Sequence, residues 1–150
     1  MEIERIKSKI ENIISSQIIS TEKLQAICDV LESEILYYDW VGFYFKNGGK
    51  NELKLAQFTG EETEHTIIPF GKGICGQVAV SNKNFVVQDV SEQENYISCG
   101  WKVKSEIVIP IFINGENIGQ IDIDSHSVNV FTDKDEQLLE YVCKKVANFL

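Results

Sequence analysis

The chain has 150 residues, of which 43% are hydrophobic and 25% charged, and its formal net charge at pH 7 is -9. This length and composition predict one folded domain over residues 1–150 with an ordinary buried core. The acidic balance argues against a nucleic-acid-binding surface and against an anionic membrane surface, because both require basic patches.

Nothing in the sequence indicates a membrane or secreted protein. No apolar stretch approaches the roughly 20 residues that cross a bilayer, and charges alternate with isoleucines in the first ten residues. We therefore expect a cytoplasmic protein whose four cysteines are thiols rather than structural disulfides. Because no C-x-x-C pair is present and the two histidines lie far from any cysteine pair, we expect neither a metal site nor a cofactor.

Two helices are predicted at the N-terminal end. Isoleucines recur at intervals of three and four residues from Ile3 to Ile14, which is the spacing of one helix face. A second helix follows Ser20 or Thr21, either of which is a good N-cap. Cys28 lies within its apolar stripe and is expected to be a buried core residue.

The middle of the chain predicts strands and one short helix. Aromatic and β-branched residues from Trp40 indicate a strand, and a Gly-rich turn leads to a returning strand. Further short elements are predicted in the order strand Thr66–Phe70, helix Cys75–Val80 and strand Phe85–Gln88. The polar segment from Asp89 to Lys104 is of a kind that often carries function.

The last helix is predicted to begin near Thr132, with Asp135 completing a capping box. Cys143 lies on its apolar face and is expected to be a core residue. Hairpin-connected strands with helices at both ends of the chain predict an α+β fold with an antiparallel sheet.

The hairpin between Ser105 and Ser125 decides which side chains share a face of that sheet. Alternate residues of a strand point the same way. Ile107 therefore shares a face with the next odd-numbered isoleucines, and Glu106 lies on the opposite face. On the returning strand, Asp122 and Asp124 share one face and the neighbouring isoleucines share the other.

The turn at Asn114–Gly115 sets how the two strands pair. A two-residue type I′ turn would pair Ile107 with Asp122, an apolar residue with an acid. A three-residue turn with a left-handed glycine would pair Ile107 with Ile121 and Glu106 with Asp122. We predict the three-residue turn because it makes one continuous isoleucine face, although a bulge could change the local pairing.

This pairing gathers Glu106, Asp122 and Asp124 into a carboxylate cluster on one face of the sheet. Like charges in a partly desolvated pocket raise one another's pKa, so one carboxyl group can hold a proton at neutral pH. The other carboxylates can bind a cation such as an ammonium group. The alternative is a set of exposed acids at a strand end in a chain that is acidic throughout.

Two cysteines lie outside the helical apolar stripes. Cys75 follows a glycine-rich turn at a helix start, where the helix dipole favours a thiolate. Cys99 is followed by a glycine and lies near Lys102 and Lys104, which also favour a thiolate. A buried structural thiol is the alternative for each cysteine, and the pair makes redox chemistry a hypothesis.

Five motifs in order resemble the free methionine-(R)-sulfoxide reductases, each of which is a stand-alone GAF domain. The similarity covers most of the chain from about Trp40 onward. The motifs are W-V-G-F-Y at Trp40–Tyr44, I-P-F-G-K-G-I-C-G at Ile68–Gly76, I-S-C at Ile97–Cys99, S-E-I-V-I-P-I at Ser105–Ile111 and I-D-I-D-S at Ile121–Ser125. The resemblance implies a GAF-like α+β fold with about six antiparallel strands flanked by N- and C-terminal helices, usually as a homodimer.

The resemblance also implies thiol-dependent reduction of free L-methionine-(R)-sulfoxide to methionine, with thioredoxin as the electron donor. Trp40 and Tyr44 match the aromatic wall around the substrate's methyl group. Glu106, Asp122 and Asp124 match the acidic residues that bind the amino group and the sulfoxide oxygen. An acid beside that oxygen would supply the proton with which it leaves. A substrate carboxylate could rest on the helix start in the glycine-rich turn.

Cys99 matches the family's catalytic nucleophile, and the sulfenic acid that it forms would be resolved to a disulfide by a second thiol. Many members carry a further cysteine where this chain has His65. We therefore assign resolution to Cys75. A GAF module that senses a small ligand without catalysis, and a thiol switch that uses Cys75 and Cys99, are the alternative functions.

Overall fold

The computed structural model describes residues 1–97 and 102–150. The helices of this part are α1 (Ile3–Ser15), α2 (Ser20–Glu34), α3 (Gly73–Ser81) and α4 (Asp133–Ala147), and a 3-10 turn covers Val90–Glu92. The strands are β1 (Trp40–Lys46), β2 (Glu52–Thr59), β3 (Ile67–Pro69), β4 (Phe85–Val87), β5 (Ser105–Ile113) and β6 (Glu116–Ser125).

The strands form a six-stranded sheet in the order β3-β2-β1-β6-β5-β4, and each neighbouring pair is antiparallel. This topology, with helices packed on the sheet, confirms the predicted α+β fold. No helix among residues 1–97 and 102–150 combines the length and the apolar composition that a membrane crossing requires.

The two faces of the sheet carry different layers. On one face, the isoleucines of β5 and β6 pack with the apolar stripes of α1, α2 and α4 in a continuous core, in which Cys28 and Cys143 are buried as predicted. On the opposite face, α3 and the following loop cover a second cluster that contains Trp40, Tyr44 and Cys75. The candidate site lies on this second face.

The helix starts follow the sequence closely, with small shifts. Thr132 and Asp135 form the predicted capping box of α4. The N-cap of α2 is Ile19, one residue before Ser20. Helix α3 begins at Gly73 rather than at Cys75, and Gly73 has a φ of +64°, which glycine adopts without steric cost.

The predicted three-residue turn of the β5–β6 hairpin is wrong. Asn114 and Gly115 both have positive φ, 52° and 78°, which is the pattern of a two-residue type I′ turn. Ile113 therefore pairs with Glu116 directly beside the turn. With an unbroken ladder this turn would pair apolar residues with acids, so it is compatible with one isoleucine face only if the ladder is interrupted.

A β-bulge in β6 places the isoleucines of both strands on the same face of the sheet, which the two-residue turn with a regular ladder would not do. Phe112 pairs with Asn117, but Ile111 pairs with Gly119, so Ile118 is an additional residue on β6. Beyond the bulge Ile107 pairs with Ile123, and Glu106 pairs with Asp124 rather than with Asp122. The isoleucines keep one face and the acids the other, although the predicted cross-strand partners are each shifted by two residues.

Candidate active site

Three neighbouring strands align the acidic and aromatic side chains in rows across one face of the sheet. Trp40 on β1 pairs with Asp124 on β6, which pairs with Glu106 on β5. In the next row, Gly42 pairs with Asp122. The three carboxylates are therefore neighbours, and all are buried, with Glu106 4%, Asp122 3% and Asp124 3% exposed.

The position of Trp40 depends on glycines that face its ring. A β-carbon on Gly42 would lie 2.3 Å from the indole, and one on Gly60 would lie 2.6 Å from it. The ring stacks on Phe58, with centroids 5.5 Å apart, and its Nε1 donates a hydrogen bond to the carbonyl of Glu61 at 3.0 Å. The W-x-G pattern of β1 thus leaves room for a fixed indole.

A cleft of about 500 Å³, part of it open to solvent, runs along this face. Trp40 and Tyr44, whose ring centroids lie 6.3 Å apart, line it together with Asp122 and Asp124. The hydroxyl of Tyr44 donates to the carbonyl of His65 at 2.8 Å, which fixes the ring on that side. The cleft therefore combines an aromatic wall with two buried carboxyl groups.

The rim of the cleft carries opposite charges. Lys102 and Glu61 both line the cleft, and Lys102 Nζ lies 2.9 Å from Glu61 Oε1. At the other side, Asp39 Oδ2 accepts a hydrogen bond from the backbone N–H of His126 at 2.7 Å. Of these rim residues only Lys102 was noted in the sequence, for its effect on Cys99; no motif marks the others, which come from different segments.

A second pocket of about 280 Å³ adjoins the cleft, and Tyr44 and Asp122 line both. Cys75 and Glu106 lie in this pocket, where Cys75 Sγ is 3.7 Å from Glu106 Oε2. His65 lines the same pocket. The predicted residues therefore lie in two adjoining pockets. The aromatic wall and the two aspartates line the cleft, whereas the Cys75 thiol and Glu106 line the second pocket, behind Asp122.

The prediction that the helix start favours a thiolate at Cys75 is wrong. Burial raises the pKa of this thiol well above its usual value, and the charges of Asp122, Glu106 and Asp124 raise it further. A helix dipole acts as about half a charge, which is too little to offset full burial beside carboxylates. Cys75 is therefore a neutral thiol in the reduced protein.

Burial also raises the pKa of Asp122 and Asp124. For Asp122, contacts with Glu106 and Cys75 oppose the effect of burial, whereas for Asp124 the charge of Asp122 adds to it and only the contact with Glu106 opposes it. Each aspartate has a buried Oδ1 with no hydrogen-bond partner in the described part of the chain. The raised pKa favours retention of a proton on the pair, and the unpartnered oxygens can accept hydrogen bonds from a cationic ligand.

Two amide side chains that sequence reasoning did not assign hold the first turn of α3. Gly73 N donates to Asn95 Oδ1 at 3.0 Å, and Asn95 Nδ2 donates to the carbonyl of Gly71 at 2.7 Å. Gln120 Nε2 donates to the carbonyl of Cys75 at 3.2 Å. Because Asn95 occupies the N–H of Gly73, that group is not available for the anion expected at this turn.

The predicted nucleophile Cys99 lies outside the described residues. The last described residue before it, Ile97, lines the pocket that contains Cys75. After it, Lys102 and Val103 line the cleft. The described residues on either side of this segment therefore line the two parts of the candidate site.

Comparisons with known proteins agree with this architecture. The sequence model of the GAF domain family matches residues 21–150. The chain is 37% identical over 110 residues to the free methionine-R-sulfoxide reductase of Saccharomyces cerevisiae, an alignment that spans 72% of this chain and 61% of that protein.

Two solved structures are similar over most of both chains. The free methionine-R-sulfoxide reductase of Neisseria meningitidis, determined in complex with its substrate, has a TM-score of 0.91 at 32% identity and covers 97% of this chain and 86% of its own. The type II free methionine-R-sulfoxide reductase of Thermoplasma acidophilum has a TM-score of 0.83 at 36% identity, with 87% and 91% covered. The chain therefore belongs to the GAF domain family and, within it, to the free methionine-R-sulfoxide reductases.

Proposed function

We propose that this protein reduces free L-methionine-(R)-sulfoxide to L-methionine. The observation that carries the proposal is the cleft in which Trp40 and Tyr44 face the buried carboxyl groups of Asp122 and Asp124. Aromatic rings suit an S-methyl group and exclude water. The names of the relatives support the same substrate.

The carboxyl groups have two tasks in this proposal. One aspartate binds the ammonium group, which distinguishes the free amino acid from a peptide-bound residue, whose nitrogen is an uncharged amide. The other lies beside the sulfoxide oxygen and donates the proton that it needs, since burial raises the pKa of both Asp122 and Asp124. Glu106 lies behind Asp122 and supports the proton transfer.

Cys99 is the proposed nucleophile. Its thiolate attacks the sulfoxide sulfur, the sulfur–oxygen bond breaks, and the oxygen passes to the cysteine as a sulfenic acid while methionine leaves. The proton on the oxygen comes from the carboxyl cluster. The motif that contains Cys99 and the positions of Ile97 and Lys102 at the two parts of the site support this assignment.

Cys75 is the proposed resolving thiol. Its sulfur attacks the sulfenic sulfur, forms a disulfide and releases water. Because burial and the nearby carboxylates raise the pKa of Cys75, the thiol must give up its proton as it attacks. Glu106 Oε2, at 3.7 Å from Sγ, is the base within reach.

The disulfide would then be reduced by the dithiol of thioredoxin, which returns both cysteines to thiols. We further propose a cytoplasmic setting, in which the thiols stay reduced, and a homodimer as in the family. We treat residues 1–150 as one GAF domain, since α1, which precedes the family match, buries Ile6 and Ile10 in the same core as α2 and α4.

The direct test is amino-acid analysis after incubation of the protein with racemic free methionine sulfoxide and dithiothreitol. We expect loss of the R form alone. If neither form is lost, the protein is not this enzyme, and a GAF ligand sensor becomes the better description. Equal loss of both forms would contradict the stereospecific site.

Variants separate the proposed roles. Cys99→Ser should abolish turnover, whereas Cys75→Ser should complete one stoichiometric reduction and then fail with thioredoxin. Normal cycling of Cys75→Ser with thioredoxin would show that another thiol resolves the intermediate. Glu106→Gln should lower the rate by about 10²-fold, the size of a typical general acid–base contribution, and an unchanged rate would remove Glu106 from proton transfer.

A further inference from the structure

The pocket behind Asp122 contains a ligand set for a metal ion that the sequence did not predict. We propose that Cys75, Glu106 and Asp122 bind a borderline-soft divalent cation such as Zn²⁺, with the fourth position open to the pocket. One ligand atom from each residue lies within 4.8 Å of the others, and all three residues are buried. The ligands come from α3, β5 and β6, so no short spacing marks them in the sequence.

The separation of the thiol and the Glu106 carboxylate fits tetrahedral coordination. A zinc ion with bonds of about 2.3 Å to sulfur and about 2.1 Å to oxygen separates those two atoms by about 3.6 Å at a tetrahedral angle. Cys75 Sγ and Glu106 Oε2 are 3.7 Å apart. The thiol and the carboxylate are therefore already at the spacing that one shared ion requires.

An independent feature of Asp122 also calls for a cation. Asp122 is 3% exposed, and its Oδ1 is buried without a hydrogen-bond partner among residues 1–97 and 102–150. The same carboxyl group interacts with both Cys75 and Glu106, which places it within the ligand set. A cation bound by this carboxyl group would offset the cost of its buried Oδ1, which has lost its water without a replacement among the described residues.

The ligand types select the ion. One thiolate with two carboxylates suits Zn²⁺ or Co²⁺, whereas Mg²⁺ prefers six oxygen ligands and keeps several waters. Binding displaces the proton of the Cys75 thiol, since only the thiolate is a ligand.

Occupation would compete with the proposed reaction. The ion would hold the resolving thiol and two carboxyl groups of the cluster, so we expect zinc to inhibit turnover and a chelator to restore it. This consequence rests on the proposed function, but the binding does not. Metal binding is therefore measured directly, and its failure can be told apart from failure of the enzymatic assay.

The binding test uses the full chain carrying Cys99→Ser, so that Cys99 cannot contribute a thiolate to the absorption expected from Cys75. Reduced protein is titrated with Co²⁺, and the thiolate-to-cobalt charge-transfer absorption in the near ultraviolet is recorded. We expect one Co²⁺ per chain with this absorption, displaced by Zn²⁺ and unaffected by excess Mg²⁺. Absence of the absorption, or displacement by Mg²⁺, would overturn the proposal.

Paired variants test the ligand set. The absorption should be absent when Cys75→Ala is added, because Cys75 supplies the thiolate, and the remaining Cys28 and Cys143, buried in the opposite core, serve as internal controls. Glu106→Gln and Asp122→Asn should each weaken binding at least about tenfold. These near-isosteric changes keep the test valid if Cys75→Ala does not fold.

Asp124→Asn is the matched control, since it removes a neighbouring buried carboxyl group that is not in the ligand set. We expect it to weaken binding less than about threefold, well below the loss expected from a ligand. If Asp124→Asn weakens binding as much as Asp122→Asn does, general negative charge holds the ion, and the three-residue site is wrong.

Discussion

The indole of Trp40 occupies the space that a β-carbon on Gly42 would take, with its Cη2 atom 2.3 Å from that position. Gly42 faces Asp122 across the β1–β6 ladder, so the missing side chain also leaves room beside the carboxyl cluster. Because Gly42 has no side chain, it leaves the space in which the Trp40 indole forms the wall of the cleft.

Gly42→Ala should displace the ring of Trp40 and impair the proposed reaction. Contact at 2.3 Å with a ring that is stacked on Phe58 cannot be relieved by a small rotation. We expect kcat/KM for free methionine-(R)-sulfoxide to fall at least about tenfold, with a loss of about 1–3 kcal/mol in the free energy of unfolding. Steady-state kinetics and denaturant unfolding measure the two effects.

The matched control for this change is Gly49→Ala, because a β-carbon at Gly49 meets nothing within 4 Å. That variant should keep the wild-type kcat/KM. Equal kinetics for the two variants would mean that the Trp40 indole does not contribute to the site.

Sequence reasoning could predict which face the site occupies but not how the hairpin reaches it. Isoleucines and acids alternate along each strand, so a shift of the cross-strand pairing by two residues leaves each side chain on the same face of the sheet. The choice between turns depended on counting residues from Asn114 to Ile107. The additional residue Ile118 on the returning strand changed the pairing, and the one local signal of it is Gly119, since a glycine inside a strand often marks a bulge.

Burial was the other property that the sequence did not predict correctly. A helix start next to Gly73 favours a thiolate at Cys75 when the helix stands alone. The position of α3 over the carboxyl cluster reverses the result, because desolvation and three nearby acids raise the pKa of the same thiol. Such an effect depends on contacts between residues that are far apart in the chain, and residue spacing does not report it.

The raised pKa of Cys75 predicts slow alkylation of the folded, reduced protein. Burial also raises the pKa of Cys28 and Cys143, so each of these three thiols should resist iodoacetamide at neutral pH. Peptide mass spectrometry should find the label on Cys99, the proposed nucleophile, and on all four cysteines after unfolding in urea. Labelling of Cys75 at the rate of the unfolded chain would contradict a neutral buried thiol.

Asp135 is expected to stabilise the fold without acting in the site. Its Oδ1 accepts hydrogen bonds from the hydroxyls of Tyr37 and Tyr38, each at 2.8 Å, and its Oδ2 accepts one from the backbone of Thr132. Asp135→Ala should lower the free energy of unfolding by about 3 kcal/mol, because it removes a helix cap and leaves the buried Tyr38 hydroxyl unpaired.

The control for Asp135→Ala is Asp133→Ala, which changes an exposed acid in the same helical turn. It should cost less than about 1 kcal/mol, through the helix dipole alone. At a temperature where both variants are folded, both should keep wild-type kcat/KM, since α4 packs on the face of the sheet opposite the cleft. Reduced activity in the folded Asp135→Ala variant would contradict this separation.

Asp124→Asn should stabilise the folded protein, and more so as pH rises. Burial and the charge of Asp122 raise the pKa of Asp124 in the folded state above its ordinary value of 3.8. At pH values between the pKa of Asp124 in the unfolded chain and its pKa in the folded protein, the folded protein binds more protons than the unfolded chain does. The stability of the wild type therefore falls as pH rises through this range. Asparagine does not titrate and escapes this loss.

We therefore expect the melting temperature of Asp124→Asn to exceed that of the wild type by more at about pH 8 than at about pH 3, where this carboxyl group is mostly protonated in both the folded and the unfolded state. Each unit by which the pKa is raised corresponds to about 1.4 kcal/mol. A pH-independent difference for Asp124→Asn would mean that this carboxyl group titrates alike in both states. A growing difference that accompanies lost turnover would instead show that the site keeps a carboxyl group for its chemistry at the expense of stability.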